Sequence, residues 1–239
     1  MKSPEALAVQ VERSAGTTAL LYSATATHVG AAMILAHGAG AGQRSPFMVD
    51  FADALTELGI DVITFNFLYT EQGRRLPDRG PALEACYRAV IDAVRAQVDS
   101  ARRFLFVGGK SMGGRIATQV AAADRNLPVH GLVLLGYPLH PPGRPEQRRD
   151  AHLPAVGRPM LFVQGGRDAF GTPAELAPVV ASLTPPAMLH VIESGDHSFK
   201  LSRKNPAAQA VVYAELQRAI VEWVRTIIAT GGETLPRQR

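Results

Sequence analysis

Short apolar runs alternate along the chain with stretches whose apolar residues recur every three or four positions, and the alternation repeats about six times. The clearest run is Ala31-Ala32-Met33-Ile34-Leu35-Ala36. It contains no polar residue, the pattern of a strand buried on both faces. Asp61–Phe65, Arg103–Val107, Leu132–Leu135, Met160–Val163 and Met188–Ile192 read as further strands. Helical spacing fills the intervals. Ser45-Pro46 supplies an N-cap and a first-turn proline ahead of Met48, Phe51, Leu55 and Leu58, and Gly59 is the expected stop. Leu83, Tyr87, Val90, Val94 and Val98 form a second stripe, and Met112 to Ala123 reads as a third helix. Thr172-Pro173-Ala174-Glu175 is a capping box. Asn205-Pro206 opens a last helix carrying Val212, Leu216, Trp223 and Ile227, with Gly231-Gly232 as its end.

Two β-like runs, Ala6–Arg13 and Thr18–Tyr22, have no helix between them and predict an antiparallel hairpin on a sheet edge. Asn66 to Gly80 reads as a polar connection and Tyr137 to Arg158 as a proline-rich loop. The whole pattern calls for an α/β fold, with a mostly parallel central sheet of about seven to eight strands and helices on both faces. No linker or internal repeat divides the chain, so one domain over 1–239 is expected, with its core over about 5–229 and a polar tail over 230–239.

Composition narrows the function classes. Hydrophobic residues at 46% and charged residues at 19% exclude disorder across the chain. A net charge of +4 without a basic tract gives nucleic-acid binding no support. The longest apolar run is far short of the roughly 20 residues a membrane helix needs, so no membrane insertion is expected. The single cysteine, Cys86, can form neither an internal disulfide nor a cysteine-based metal site alone. With no signal-peptide pattern behind Met1, this predicts a cytoplasmic protein. The 22 glycines and 17 prolines predict many tight turns and few long helices.

In open α/β sheets chemistry gathers at the carboxyl ends of the strands. His37-Gly38-Ala39-Gly40, Gly109-Lys110-Ser111-Met112-Gly113, Gly166-Arg167-Asp168 and Gly195-Asp196-His197 occupy those places. Gly109-x-Ser111-x-Gly113 between a strand and a small-residue helix fits a nucleophile elbow, where the glycines leave room for strand and helix to crowd together. A serine nucleophile needs a base, and a histidine near neutral pKa suits it; it needs an acid to orient that base and N–H groups for the developing oxyanion. His197, Asp168 and the N–H groups of Met112 and Ala39 are the candidates. Asp196 competes with Asp168, but side chains adjacent on a loop seldom face each other, so Asp196 is expected to fix the loop. His37 is expected to buttress the glycine loop. Gly109-Lys110-Ser111 imitates the end of a phosphate-binding loop, yet Phe104 stands where that motif needs glycine. Lys110 is expected to be solvated, with a bias towards anions at the mouth of the site. Glu71, Arg74 and Arg75 follow the second parallel strand and are expected either to contact a polar substrate group or to pair with each other. Cys86 lies on an apolar stripe and is expected in the core.

The set Gly109-Lys-Ser-Met-Gly, Gly166-Arg-Asp168 and Gly195-Asp-His197 resembles the α/β-hydrolase superfamily over nearly the whole chain. His37-Gly-Ala-Gly-Ala-Gly with Ser45-Pro-Phe-Met, and Phe65-Asn-Phe-Leu-Tyr-Thr-Glu-Gln-Gly-Arg-Arg-Leu-Pro-Asp78, are similar to the group of testis-expressed protein 30 and NSL-complex subunit 3. Dienelactone hydrolases are more distantly similar; their nucleophile is cysteine where this chain has serine. The resemblance implies a serine hydrolase acting on an ester, thioester or related acyl bond of a small molecule, with no cofactor or metal. A non-catalytic binding module of the same architecture and a small serine peptidase are the alternatives, and monomer and homodimer stay open. Only about two dozen residues separate Leu135 from Met160, too few for a large lid domain.

Overall fold

The computed structural model describes residues 3–13, 15–201 and 205–231. The N-terminal hairpin pairs β1 (Glu5–Glu12) with β2 (Ala15–Tyr22). There follow β3 (Ala32–Ala36), α1 (Pro46–Glu57), β4 (Asp61–Phe65), α2 (Leu68–Glu71), α3 (Gly80–Gln97), α4 (Asp99–Arg103), β5 (Leu105–Lys110) and α5 (Met112–Ala123). β6 (Gly131–Leu135), a 3-10 turn (Leu153–Ala155), β7 (Met160–Gly165), α6 (Pro173–Ser182), β8 (Met188–Ile192) and α7 (Pro206–Ala229) complete the order.

The strands form one eight-stranded sheet in the order β1-β2-β4-β3-β5-β6-β7-β8. β1 and β2 run antiparallel at the edge, and the other six are parallel. Every residue of β3 is buried, and the side chains divide by period two. Ala32, Ile34 and Ala36 join the core under α3, α5 and α6, while Ala31, Met33 and Leu35 join the core under α1 and α7. An unbroken apolar run is what such a two-sided position requires. The chain winds outward in opposite directions from β3 and β5, so the order of strands reverses between them. Their carboxyl ends open a crevice there.

The expected α/β fold is formed, and among the described residues no lid domain is present: the segment between β6 and β7 carries one 3-10 turn. Three local readings change. Arg103 ends α4 instead of starting a strand, because Ser100 and Ala101 bury themselves in a last helical turn before β5. The connection 66–80 is not simply polar: Phe67, Leu68 and Tyr69 are buried, and α2 forms around them. Helices α3 and α7 are 18 and 24 residues long, because the glycines and prolines concentrate in the loops and at helix starts. The Thr172–Glu175 capping box is made, and Asn205 caps α7 by accepting from the N–H of Ala208. Ser45 stands at the N-cap of α1 without a side-chain capping bond. Of the tail expected over 230–239, Thr230 and Gly231 follow α7 and the remainder lies outside the described residues. Among the described residues no helix is long and apolar enough to cross a membrane.

Candidate active site

Ser111 stands between β5 and α5 at φ 50°, ψ −112°, a backbone conformation few non-glycine residues adopt. The flanking glycines make the turn physically feasible. A Cβ on Gly109 would come 2.2 Å from the carbonyl oxygen of Ala36, and one on Gly113 would come 2.3 Å from the same atom. Strand β3 therefore presses on both sides of the elbow, and neither position has room for a side chain.

Three loops then converge. His197 Nε2 lies 2.9 Å from Ser111 Oγ, and His197 Nδ1 lies 2.7 Å from Asp168 Oδ2. Asp168 is buried, and its carboxylate is fully satisfied: Oδ1 accepts from the N–H of Phe170 at 2.8 Å, and Oδ2 also accepts from Gln164 Nε2 at 2.9 Å. An acceptor held this way favours the Nδ1–H tautomer of His197, leaving Nε2 to accept from the serine hydroxyl. Asp196 does not bond the imidazole: its Oδ1 accepts from the N–H groups of Ser198 and Lys200, fixing the loop.

The N–H of Met112, first residue of α5, has no intrahelical acceptor and stands at the positive end of the helix. The loop after β3 lies against the elbow, since a Cβ on Gly38 would be 3.6 Å from Ser111 Cβ, and Ala39 lines the same cavity. His37 holds this loop. Its Nδ1–H donates to the carbonyl of Gly38 at 2.8 Å and its Nε2 accepts from the N–H of Phe67 at 3.3 Å. Burial lowers its pKa below the ordinary histidine value, which keeps the ring neutral and the two roles distinct.

Lys110 departs from expectation. It is buried, not solvated. Its Nζ donates to the carbonyl of His197 and sits 5.5 Å from the centre of the Phe199 ring. Burial pulls its pKa down to about 8, against the opposing pull of the Asp168 and Asp196 carboxylates. Glu71 and Arg74 lie outside the cavity lining. Glu71 Oε1 accepts from Thr17 Oγ1 at 3.0 Å, tying α2 to β2, and Arg74 pairs with Asp78 at 2.6 Å. They do not pair with each other, because each meets a nearer partner. Cys86 is buried on α3, and burial pushes its thiol up to about 12.

Several contributors carry weaker sequence signals. Gln164 is a fully buried amide at the end of an otherwise apolar strand; it accepts from the N–H of Tyr137 and donates to Asp168. A polar residue inside an apolar run is the signal that points to it. Phe170 stacks on His197 with centroids 4.2 Å apart. Helix α7 clasps the histidine loop. Gln209 donates to the carbonyl of Phe199 and accepts from the N–H of Leu201, both at 2.9 Å, and Tyr213 donates to the carbonyl of Ser198 at 3.1 Å. Nothing local in the sequence announces these contacts across the fold.

The residues front a cavity of about 930 Å³. One wall is aromatic, with Phe47, Phe51 and Tyr213 in contact. Chemically, the arrangement couples a hydroxyl to a proton acceptor whose other nitrogen is anchored by a buried carboxylate, beside free N–H donors.

A family model for the alpha/beta hydrolase domain matches residues 29–225. Among solved structures, a serine hydrolase without lid from Xanthomonas campestris is similar, at 22% identity and TM-score 0.72, over 93% of this chain and 96% of that one. A dienelactone hydrolase from Anabaena variabilis matches at 22% identity and TM-score 0.70, over 92% and 99% of the two chains. An alpha-beta serine hydrolase homologue from Coxiella burnetii matches at 18% identity and TM-score 0.71, again over 92% and 99%.

Proposed function

The chain belongs to the alpha/beta hydrolase family, and from that premise we propose that it is a serine hydrolase opening an ester or thioester bond of a small substrate through an acyl-enzyme. The observation that carries the reading is the unbroken hydrogen-bond chain from Ser111 Oγ through His197 to Asp168. Ser111 Oγ attacks the acyl carbon as His197 Nε2 takes its proton. Asp168 stabilises the imidazolium through Nδ1–H. The N–H groups of Ala39 and Met112 receive the charge that develops on the carbonyl oxygen. His197 then protonates the leaving group as the tetrahedral adduct collapses. Water, deprotonated by the same nitrogen, releases the acid and restores Ser111.

Within the family we place the chain beside the testis-expressed protein 30 and NSL-complex subunit 3 group. Support comes from the direct bonding of the two segments that carry the resemblance: His37 accepts from Phe67, and Asn66 Oδ1 accepts from the N–H of Gln43 at 2.8 Å. We also place the protein in the cytoplasm, in keeping with a single cysteine held in the core.

A fluorophosphonate probe tests the catalytic reading. The wild type is expected to label at one site, Ser111→Ala not at all, and a short p-nitrophenyl ester to release its phenol only with the wild type. Equal labelling of the two proteins would overturn it.

A further inference from the structure

Beyond the acyl bond itself, the cavity contains a second polar feature that the chemistry above does not use. Arg115 lies one turn after Ser111 on α5, its N–H bonded to the Ser111 carbonyl at 3.1 Å. Arg149 comes from the loop between β6 and β7. Both line the cavity that Ser111 and His197 front. Each is partly buried, and burial first and then the charge of Arg149 depress the pKa of Arg115, with Tyr137 and the Glu84 carboxylate pulling more weakly the other way. Like charges held together in a half-desolvated place are costly unless an anion joins them. Among the described residues no carboxylate stands within ion-pair distance of either guanidinium, although four other arginines, Arg74, Arg88, Arg102 and Arg148, each pair with an aspartate. Arg115 donates through Nη1 to Gln119 at 3.1 Å, while its buried Nε has no partner. The side chain of Arg149 makes no hydrogen bond among the described residues, yet its backbone is pinned. Its N–H donates to the carbonyl of Leu139 at 2.8 Å, and its carbonyl accepts from Tyr137 Oη at 2.6 Å.

Two guanidinium groups thus face one cavity with no carboxylate among the described residues bonded to either. Tyr137 links Arg149 to the catalytic carboxylate, because Gln164 bonds both the Tyr137 N–H and Asp168. Leu83 and Pro138 give the same cavity apolar lining. We propose that Arg115 and Arg149 form a carboxylate-binding subsite, so that the substrates are acyl compounds bearing a free carboxylate a few apolar bonds from the scissile carbonyl. The inference rests on the hydrolase reading for the word substrate, but the subsite itself does not require turnover. Guanidinium forks match a carboxylate in two parallel hydrogen bonds, which fixes orientation as well as affinity.

The test uses 4-nitrophenyl hydrogen adipate and its methyl ester, which differ only in the distal charge. The wild type is expected to prefer the acid by about tenfold or more in kcat/KM. In Arg149→Gln and in Arg115→Gln that preference falls by about tenfold, and it shrinks with added salt in the wild type. Arg149→Gln changes a loop side chain with no intramolecular bond, so it carries the test even where Arg115→Gln perturbs α5. In parallel, calorimetry reads adipate binding to Ser111→Ala, with weakening expected on adding Arg149→Gln. A wild-type preference near one, a preference that survives Arg149→Gln, or an absence of adipate binding to Ser111→Ala would each overturn the subsite. Adipate binding that depends on Arg149 in a protein that neither labels nor turns over ester would sustain the subsite and overturn the hydrolase.

Discussion

Lys110 shows how a single side chain can look like one thing in sequence and act as another in the fold. Its neighbours Gly109 and Ser111 make it read as a solvated residue beside the nucleophile, but β5 runs through it and its chain turns inward to the His197 carbonyl. Burial lowers its pKa to about 8. Below that pH the amine is protonated in both folded and unfolded chains and adds no pH slope. Between about 8 and its ordinary value near 10.4 the unfolded chain alone holds the proton, so folding stability rises with pH. Above that range the contribution is constant. Lys110→Met removes this rise. Urea unfolding across pH 7.5 to 10.5 is expected to give a stability difference, wild type minus variant, that grows by about 3 kcal/mol. Parallel curves would contradict it. His37 has the opposite history: its place before a glycine loop suggested a buttress, and it bonds both that loop and Phe67.

At the scale of elements, what was legible followed burial. β4, α5 and β8 match the expected spans, and each is a run whose period or apolar continuity is imposed by one or two covered faces. The motif residues Ser111, Asp168 and His197 could be picked out because each follows a strand of that kind. What was not legible depends on contacts between distant segments. α2 exists because Phe67, Leu68 and Tyr69 find a hydrophobic seat beside α3, which no local pattern reveals. The place of Glu71 and Arg74 after β4 suggests either a substrate contact or a mutual pair; their direction is decided instead by Thr17 and Asp78, set by the hairpin and by the start of α3. A tight element contact that bears on the site is the elbow against β3. Gly113→Ala would push a methyl into the Ala36 carbonyl, a backbone atom that the parallel ladder holds in place. The expected outcome is a loss of roughly 3 kcal/mol or more in chemical denaturation, the range of severe overpacking. Fluorophosphonate labelling should slow in whatever fraction stays folded, because the same displacement moves Ser111. A wild-type melting profile for Gly113→Ala would refute this packing account.

For the whole molecule, the decisive feature is the absence of a lid domain among the described residues. The segment between β6 and β7 contributes Arg149 and Pro138 to the cavity wall but only one 3-10 turn of regular structure. Among the described residues no domain covers the site that could open at an oil–water surface. Hydrolysis of p-nitrophenyl esters should therefore follow a plain hyperbola through the solubility limit of the substrate, and kcat/KM should fall from four-carbon to twelve-carbon acyl groups. A jump in rate on emulsification, or a preference for the longer chain, would show that a covering element forms.

The clasp that α7 places on the histidine loop bears on the order in which the protein comes into being. A ribosome delivers Ala39 first, then Ser111, then Asp168, and His197 well after them. Gln209 and Tyr213, whose bonds steady that histidine's loop, emerge later still. On the proposed reading, a nascent chain thus carries Ser111 long before the loop of His197 is held in place. If the proposal holds, reactivity towards acyl bonds belongs to the finished chain and not to its growing fragments.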